Sequence, residues 1–311
     1  MPDIHVTPED EHESAYSGLL VNDAHWAFGT DFEDPLAGVD TTIPEGIDAP
    51  TLAAYALMLG DDYLVMSHRL AEWTSNAPDL EDDIALSNIA LDLLGQARLL
   101  LARAAKADES IVPTLPEGSP APPEDALAFF REAHEFRNVR FAEVVNGDFA
   151  EATVRVLLFS VWRLALFEQL RTSRDHVLAA VAAKGVKELA YHRDYAARWF
   201  VTLAQGTDES RSRLLAALDA LWPLWPELFD THPVEAAAAG SGVGVDPATV
   251  RESAESVLDQ VLAAADVPRP EVARRAGVLG RTGRDGMHGE PLGPMLAEMQ
   301  SVARAHPRGQ W

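Results

Sequence analysis

Two short stretches of this 311-residue sequence place side chains at the spacing that helical metal proteins use for their ligands. In "DLLGQ", Leu93 and Gln96 stand three residues apart, and in "KELAYH" Leu189 and His192 repeat that spacing. Residues i and i+3 share a helix face. Two Glu-x-x-His pairs, with one Glu from each of two further helices, can therefore enclose two metal ions.

Leucine stands at both carboxylate positions of these pairs, and glutamine stands at one of the two imidazole positions. Leucine cannot ligate a metal. A di-metal site needs several carboxylates to offset the charge of its cations, and its affinity falls with every ligand that is lost. The sequence therefore predicts no metal at Leu93, Gln96 and Leu189, with His192 as a surviving imidazole.

The polar residues around these positions allow two interpretations. Glu188 and His192 form an i, i+4 pair that could bind one metal ion or act as a base and its orienting partner. The alternative is a structural hydrogen-bonded pair, which is the usual role of a histidine beside a glutamate on a helix. Asp92 and Arg98 could also join Gln96 and His192 in a polar network that occupies the metal space.

The elements that carry these residues are predicted to be long helices. From Pro50 onward, alanine and leucine recur at helical spacing, and alternating or β-branched runs are almost absent. A helix of roughly 25 residues spans about 37 Å, which favours an elongated all-α bundle. The predicted helices cover about residues 50–75, 79–107, 123–135, 149–174, 176–205, 208–229, 247–265 and 292–305.

The sequence divides into three parts. Residues 1–48 are acidic, lack Lys and Arg, and are predicted to form an unstructured extension, although "GLLVNDAHWAF" could dock on a partner. Residues 49–266 form the predicted bundle and 267–311 a C-terminal loop and helix arm. The Gly/Ser stretch "AGSGVGVD" is predicted to be a linker before that arm, and its glycines spell no dinucleotide fingerprint.

Composition excludes several classes of function. The chain has no cysteine, which removes disulfides, thiolate zinc sites, iron-sulfur clusters and cysteine nucleophiles. Its formal charge of -24 repels nucleic-acid phosphates and anionic lipid surfaces. The N-terminus has no secretory signal, and no apolar run reaches about 18 residues. We expect a cytoplasmic protein without nucleic-acid or membrane contact.

Four ordered blocks resemble a known family. "SHRLAEWTSNAPDLEDDIALSNIALDLLGQAR", "FRNVRFAEVVNGDFA", "AAKGVKELAYHRDYAARWF" and "LGPMLAEMQ" with a terminal Trp311 are similar to the structural, non-catalytic subunit of ring-1,2-phenylacetyl-CoA epoxidase, the PaaC family. The resemblance runs from about residue 50 to the end and leaves the acidic extension outside.

The resemblance implies a ferritin-like bundle that is a paralogue of the complex's catalytic subunit. In that subunit the helices carry "DELGH"-type and "ESFH"-type pairs, to which "DLLGQ" and "LAYH" correspond here. The family's role would be to hold the catalytic subunit in a heteromeric core, together with a small bridging subunit. The complex implies di-iron in the catalytic subunit and NADPH, flavin and iron-sulfur in a reductase, with no cofactor in this chain.

Two further groups of residues are open to more than one interpretation. The locally basic stretch "VPRPEVARRAGVLGRTGRDGMHGE" could be a solvated or partner-covered loop, or could contact the phosphates of a coenzyme A thioester. Trp222, Trp225 and Phe229 are predicted to pack in the core or, alternatively, to anchor an interface. The basic side chains concerned are Arg269, Arg274, Arg275, Arg281, Arg284 and His288, and the anion contact would use Arg274, Arg275, Arg281 and Arg284.

Three hypotheses about function follow. The first is a non-catalytic scaffold subunit in aerobic phenylacetate degradation. The second is a metal-dependent ferritin-like oxygenase in its own right, with other acids replacing the lost ligands. The third is a stand-alone binding or storage bundle. Metal analysis of the purified chain separates the first two hypotheses, and a neighbouring gene with two intact Glu-x-x-His helices argues against the third.

Overall fold

The computed structural model describes residue 36 and residues 38–309. Within this part the chain is all-α, with ten α-helices, short 3₁₀ turns and no β-strand. The predicted ferritin-like bundle of long helices with a C-terminal helical arm is therefore confirmed. The segment "GLLVNDAHWAF" and Trp311 lie outside the described residues.

Four long helices make the bundle. They are the first, second, fourth and fifth of the ten helices in chain order. The first packs along the second and the fourth along the fifth, while the sixth and eighth helices lie against the fourth and fifth. The helices are α1 (Ala49–Glu72), α2 (Leu80–Ala107), α3 (Pro123–Phe129), α4 (Phe149–Leu170), α5 (His176–Gln205), α6 (Asp208–Leu221), α7 (Pro233–Gly240), α8 (Arg251–Ala264), α9 (Leu292–Met299) and α10 (Ser301–Ala305).

Each long helix begins at an aspartate. Asp48, Asp79, Asp148 and Asp175 precede α1, α2, α4 and α5, and each carboxylate accepts a hydrogen bond from the backbone N–H three residues later. Such a cap satisfies one of the N–H groups that the first helical turn leaves without a partner, and it contributes about 1 kcal/mol relative to alanine. These caps explain why the sequence located the starts of the long helices well.

Helix α1 lies at the centre of the molecule. Seventeen of its 24 residues are buried, on all sides of the helix, because α2, α7 and the 3₁₀ turn at 140–143 cover it. A methyl group added at Gly60 would lie 2.8 Å from Leu101 Cδ2. The glycine thus permits an approach of α1 to α2 that a larger residue would prevent.

The structure differs from the predicted helices mainly in three places. The helix predicted at 208–229 ends at Leu221 and continues as a 3₁₀ run, Trp222–Phe229, which contains Pro226. Proline has no N–H to donate and disrupts the α-helical pattern. The helix predicted at 123–135 ends at Phe129. Helix α7 was not predicted, although Pro233 at its first turn signals a helix start.

The stretch predicted to be a linker is instead packed against the bundle. Val243 and Val245 are buried. The carbonyl of Gly242 accepts a hydrogen bond from the backbone N–H of Arg174, and the Tyr55 hydroxyl accepts one from Val245 N. The linker prediction was wrong because a Gly/Ser composition indicates a loop but not whether that loop is buried.

The described end of the predicted extension also contacts the bundle. The buried Arg103 of α2 pairs with Asp175, with Nε 3.1 Å from Oδ2, and its Nη1 donates to the carbonyl of Thr41 over 2.7 Å. Residues 39–48 are thus held by helix contacts. The prediction that residues 1–35 are unstructured concerns a segment outside the described residues and stays a prediction.

Among the described residues, α2 is long and apolar enough to cross a membrane by length and composition alone. Core helices of soluble proteins pass the same test. Here α2 packs against α1, α3 and α5. The expectation of no membrane contact stays a prediction.

Candidate functional site at the bundle centre

The three lost-ligand positions and the surviving His192 lie inside the bundle. Leu93 and Gln96 on α2, and Leu189 and His192 on α5, are all at most 1% exposed. Gln96 and His192 each contact a residue of the other helix, and the i, i+3 spacing puts each leucine on the same helix face as its partner. The positions that the sequence aligns with Glu-x-x-His pairs therefore lie on inward faces of α2 and α5.

A hydrogen bond joins the two helices at this level. Nε2 of Gln96 donates to Oε2 of Glu188 over 2.5 Å. Burial raises the pKa of the Glu188 carboxyl above its usual range, and the charge of Asp92 adds to that increase. The ammonium of Lys184, 3.5 Å away, acts in the opposite direction. Because Glu188 contacts Gln96 and Lys184, the predicted Glu188 to His192 pair does not form.

His192 has a different partner. Its Nε2 lies 2.9 Å from Oδ2 of Asp92 on α2, while the imidazole itself is buried. Arg98 forms an ion pair with Glu124, its Nε 3.6 Å from Oε1. The residues of the predicted network thus form two contacts between α2 and α5, Gln96 to Glu188 and His192 to Asp92, while Arg98 pairs with Glu124.

Aromatic rings fill the space beside these contacts. Tyr63 of α1 lies edge-on to Phe159 at 5.7 Å between ring centroids and 5.4 Å from Phe167. A methyl group at Gly185 would lie 2.7 Å from the Phe167 ring and 2.9 Å from Gln96 Oε1. Burial raises the pKa of the Tyr63 hydroxyl, and nearby Glu188 raises it further. The centre is thus a close-packed region with little space for an ion.

The side chains present do not fit a di-iron site. Leu93 and Leu189 offer no donor atom, and His192, with Nε2 on Asp92 and Nδ1 buried without a hydrogen-bond partner, is a single imidazole. Across the described residues, no group of three or more His, Asp or Glu side chains is arranged to hold a metal ion. A carboxylate-bridged pair of irons needs more anionic donors than Glu188 and Asp92 can supply here.

The principal polar centre of the molecule lies elsewhere on α1, at Asp61 and Asp62, which are both fully buried. Asp61 accepts from Arg131 Nη1 at 3.0 Å, and Asp62 pairs with Arg163 and, at 2.9 Å, with Arg284. These carboxylates join α1 to α4, to the loop after α3 and to the C-terminal arm. Sequence analysis missed them, although two adjacent acids inside the apolar run "LMLGDDYLVM" were a signal.

The arginines predicted to contact an anion do not converge. Arg284 is buried and reaches Asp62 and Glu235, the latter at 3.2 Å. Arg274 pairs with Asp230 on the surface. Arg275 and Arg281 are exposed.

The nearest cavity, of about 220 Å³, is lined by carboxylates together with Arg284 and His232. Such a lining repels phosphates. The acids that line it are Glu227, Asp230, Glu235 and Asp285.

The remaining candidate residues have structural positions. Trp222 and Trp225 stack at 6.2 Å, Phe229 lies edge-on to Trp225, and all three are buried. They pack in the core, as one of the two interpretations predicted. His288 lies with Nδ1 3.0 Å from Glu143 Oε1. Arg269 pairs with the surface carboxylate of Asp259.

Comparison with known proteins adds two findings. A sequence profile of the family described as phenylacetic acid catabolic protein matches residues 40–311. One similar protein is a subunit of the 1,2-phenylacetyl-CoA epoxidase of Escherichia coli strain K12. It is 43% identical over 262 residues, which cover 84% of this chain and 99% of that protein.

Proposed function

Since the chain belongs to the phenylacetic acid catabolic protein family, we propose that it is a non-catalytic, structural subunit of a multicomponent phenylacetyl-CoA epoxidase. The similarity to an epoxidase subunit supports a role in phenylacetate catabolism. The observation that supports the non-catalytic role is the bundle centre, where Leu93 and Leu189 stand in place of metal donors and Gln96 stands in place of an imidazole, all three of them buried.

The proposed activity of the complex resides in a sister subunit of the same fold. Epoxidation of an aromatic ring needs an oxidant generated from dioxygen, and di-iron in the catalytic subunit would supply it with electrons from NADPH through a flavin and iron-sulfur reductase. This chain would contribute binding surface to a cytoplasmic complex that also contains a small bridging subunit.

Exposed apolar side chains support a role in binding another protein. Leu80, Ile84, Leu91 and Leu94 are exposed on α2, and Tyr191 is exposed on α5. A group of large apolar side chains on one helix surface is typical of protein interfaces. A chain that binds only the folded catalytic subunit stabilises it by mass action, by about 2.7 kcal/mol at a hundredfold excess over Kd.

The test is co-expression of the catalytic subunit with and without this chain. We expect higher soluble yield, more iron per catalytic polypeptide and more epoxidation of phenylacetyl-CoA, with reductase present, when this chain is included. An unrelated acidic helical protein of similar size is the control for expression effects. Equal yield, iron content and activity without this chain would disprove the structural role.

Metal analysis of this chain purified alone tests the non-catalytic part separately. We expect less than about 0.1 iron per polypeptide, because the donors at the centre are too few for a stable site. Stoichiometric iron would instead support the hypothesis of an oxygenase in its own right.

A further inference from the structure

The C-terminal arm carries a short hairpin whose apolar tip projects from the molecule. Val278 and Arg281 pair through both backbone N–H groups, at 2.9 and 3.0 Å. Leu279 and Gly280 form the turn, with φ of 53° and 77°. Leu279 is 97% exposed and Val278 54% exposed, so the tip presents two aliphatic side chains to the surroundings.

The conformation of Leu279 is unfavourable for its side chain. Positive φ at both central residues marks a type I′ turn, where Asn and Gly are preferred. A leucine in the left-handed region is strained, because its Cβ lies too close to the following carbonyl oxygen. Almost no part of the Leu279 side chain is buried in this chain, so its own packing does not compensate for that strain.

The base of the hairpin is held rigidly. Arg140 pairs with the buried Glu227, its Nε 2.8 Å from Oε2, and both Nη atoms donate to backbone carbonyls of Arg275 and Ala276 at 3.1 Å. Arg275 N donates to the carbonyl of Pro223 at 2.8 Å. A tip on such a base is already ordered before any contact with a partner, which lowers the entropy cost of binding.

The charges around the tip are unlike those in the rest of the arm. Arg269, Arg274 and Arg284 each pair with carboxylates of this chain. The exposed guanidinium groups of Arg275 and Arg281 have no described side-chain partner. In a chain with a formal charge of -24, the hairpin thus carries two exposed cations and an apolar tip, while Gly280 borders the acid-lined cavity.

We propose that residues 275–281 are a docking element that inserts the side chain of Leu279 into an apolar pocket, rimmed by carboxylates, on the catalytic subunit. A buried aliphatic anchor surrounded by ion pairs is the usual form of an interface hot spot. Gly280 of the tip lines the carboxylate-rich cavity, which repels phosphates, so a coenzyme A thioester does not suit this site. This inference rests on the proposed function for the identity of the partner.

The decisive variant is Leu279→Asn. Asparagine followed by glycine is a preferred pair in type I′ turns, so the hairpin is retained while the apolar anchor is lost. We expect the Kd for the purified catalytic subunit to rise at least about tenfold. The melting temperature of this chain should stay within about 2 °C of wild type or rise. A merely structural role of Leu279 would not weaken binding while leaving the chain equally stable.

Charge and control variants complete the test. Arg275→Glu and Arg281→Glu should each weaken binding to the catalytic subunit. Arg281→Lys, which keeps the positive charge, should largely retain the wild-type affinity. Two control variants should leave Kd unchanged. They are Val302→Ala, at a valine as exposed as Val278, and Arg171→Glu, on the surface at the end of α4.

If wild type binds and Leu279→Asn binds equally well, the docking site is wrong while the proposed function stands. If wild type does not bind the catalytic subunit at all, both fail. Loss of self-association in Leu279→Asn, measured by sedimentation, with unchanged binding to the catalytic subunit would assign the tip to a second copy and overturn the proposal.

Discussion

Gln96 on α2 and Glu188 on α5 are joined side chain to side chain, with Nε2 2.5 Å from Oε2. Gln96 lies three residues after Leu93, and Glu188 directly precedes Leu189. Gln96 places an amide where the Glu-x-x-His pattern has an imidazole. Its N–H donates to Glu188, a carboxylate that lies outside that pattern. The contact thus ties together the two helices that a pair of metal ions would otherwise bridge.

The first prediction concerns pH. Burial raises the pKa of Glu188 above its value in the unfolded chain, near 4.5. The folded state therefore favours the protonated carboxyl. The contribution of the protonated Glu188 carboxyl to the free energy of unfolding is complete below the pKa of the unfolded chain. It is lost as the pH rises through the pKa of the folded chain. Glu188→Gln keeps an acceptor for Gln96 and removes the titration.

We expect Glu188→Gln to be more stable than wild type at pH 7.5, with the difference shrinking towards pH 4. Urea unfolding at several pH values measures it. Glu168→Gln, at a carboxylate exposed on α4, is the matched control and should show little pH dependence. A pH-independent difference for Glu188→Gln would contradict the raised pKa.

The second prediction compares two helical glycines. At Gly185 an added methyl group meets Phe167 and Gln96, whereas at Gly95 on α2 it meets nothing within 4 Å. We expect Gly185→Ala to cost about 1–3 kcal/mol through overpacking. Gly95→Ala should stabilise by about 0.5–1 kcal/mol, because alanine loses less entropy in a helix. Chemical denaturation of both variants tests the close packing, and equal effects would disprove it.

The third prediction compares two arginines of the same arm. Arg284→Ala leaves the buried Glu235 without an ion-pair partner and removes one of two cations from Asp62. We expect a loss of about 3–5 kcal/mol. Arg274→Ala breaks a pair with Asp230 in which both side chains are more than 40% exposed, so the loss should stay below about 1 kcal/mol.

Equilibrium unfolding of Arg284→Ala and Arg274→Ala measures the difference. If Arg284→Ala costs no more than Arg274→Ala, the C-terminal arm is not anchored through Asp62. Limited proteolysis gives a second measurement, because an arm released from Asp62 would be cleaved faster.

The fold was predictable because its signals are local. Helical periodicity, an aspartate before each long helix and the proline-rich stretch at 112–122 are all read within a few residues of the sequence. The polar centre on α1 was not predictable in this way. Asp61 and Asp62 meet Arg131 and Arg284 at sequence separations of 70 and 222 residues, and only the assembled bundle brings them together.

The candidate site was predictable in position but not in its partners. The i, i+3 spacing placed Leu93 with Gln96, and Leu189 with His192, on one helix face each, which depends on helix geometry alone; the structure shows that both faces are buried. The partner of Glu188 depended on side-chain rotamers and on which residue α2 presents opposite it. Sequence spacing therefore favoured a contact between Glu188 and His192 along α5, whereas the structure has contacts across to α2.

The last prediction is that restoring the missing ligands does not restore a metal centre. Leu93→Glu and Leu189→Glu each bury a carboxylate at a position that is at most 1% exposed, and each should cost about 2–4 kcal/mol. Leu93→Met and Leu189→Met, of similar volume, should cost less than about 1.5 kcal/mol. The variant that combines both Glu substitutions with Gln96→His should bind less than one iron per chain.

The physical reason is that ligands alone do not specify a site. Iron ligands need neighbouring groups that orient them and space for two ions and their oxygen bridges, and here that space holds aromatic rings and the Gln96 to Glu188 contact. Iron analysis and visible absorption of the triple variant, with circular dichroism as a check of folding, measure the outcome. Two irons per folded chain would show that the centre accepts a metal pair, and the argument from packing would then be wrong.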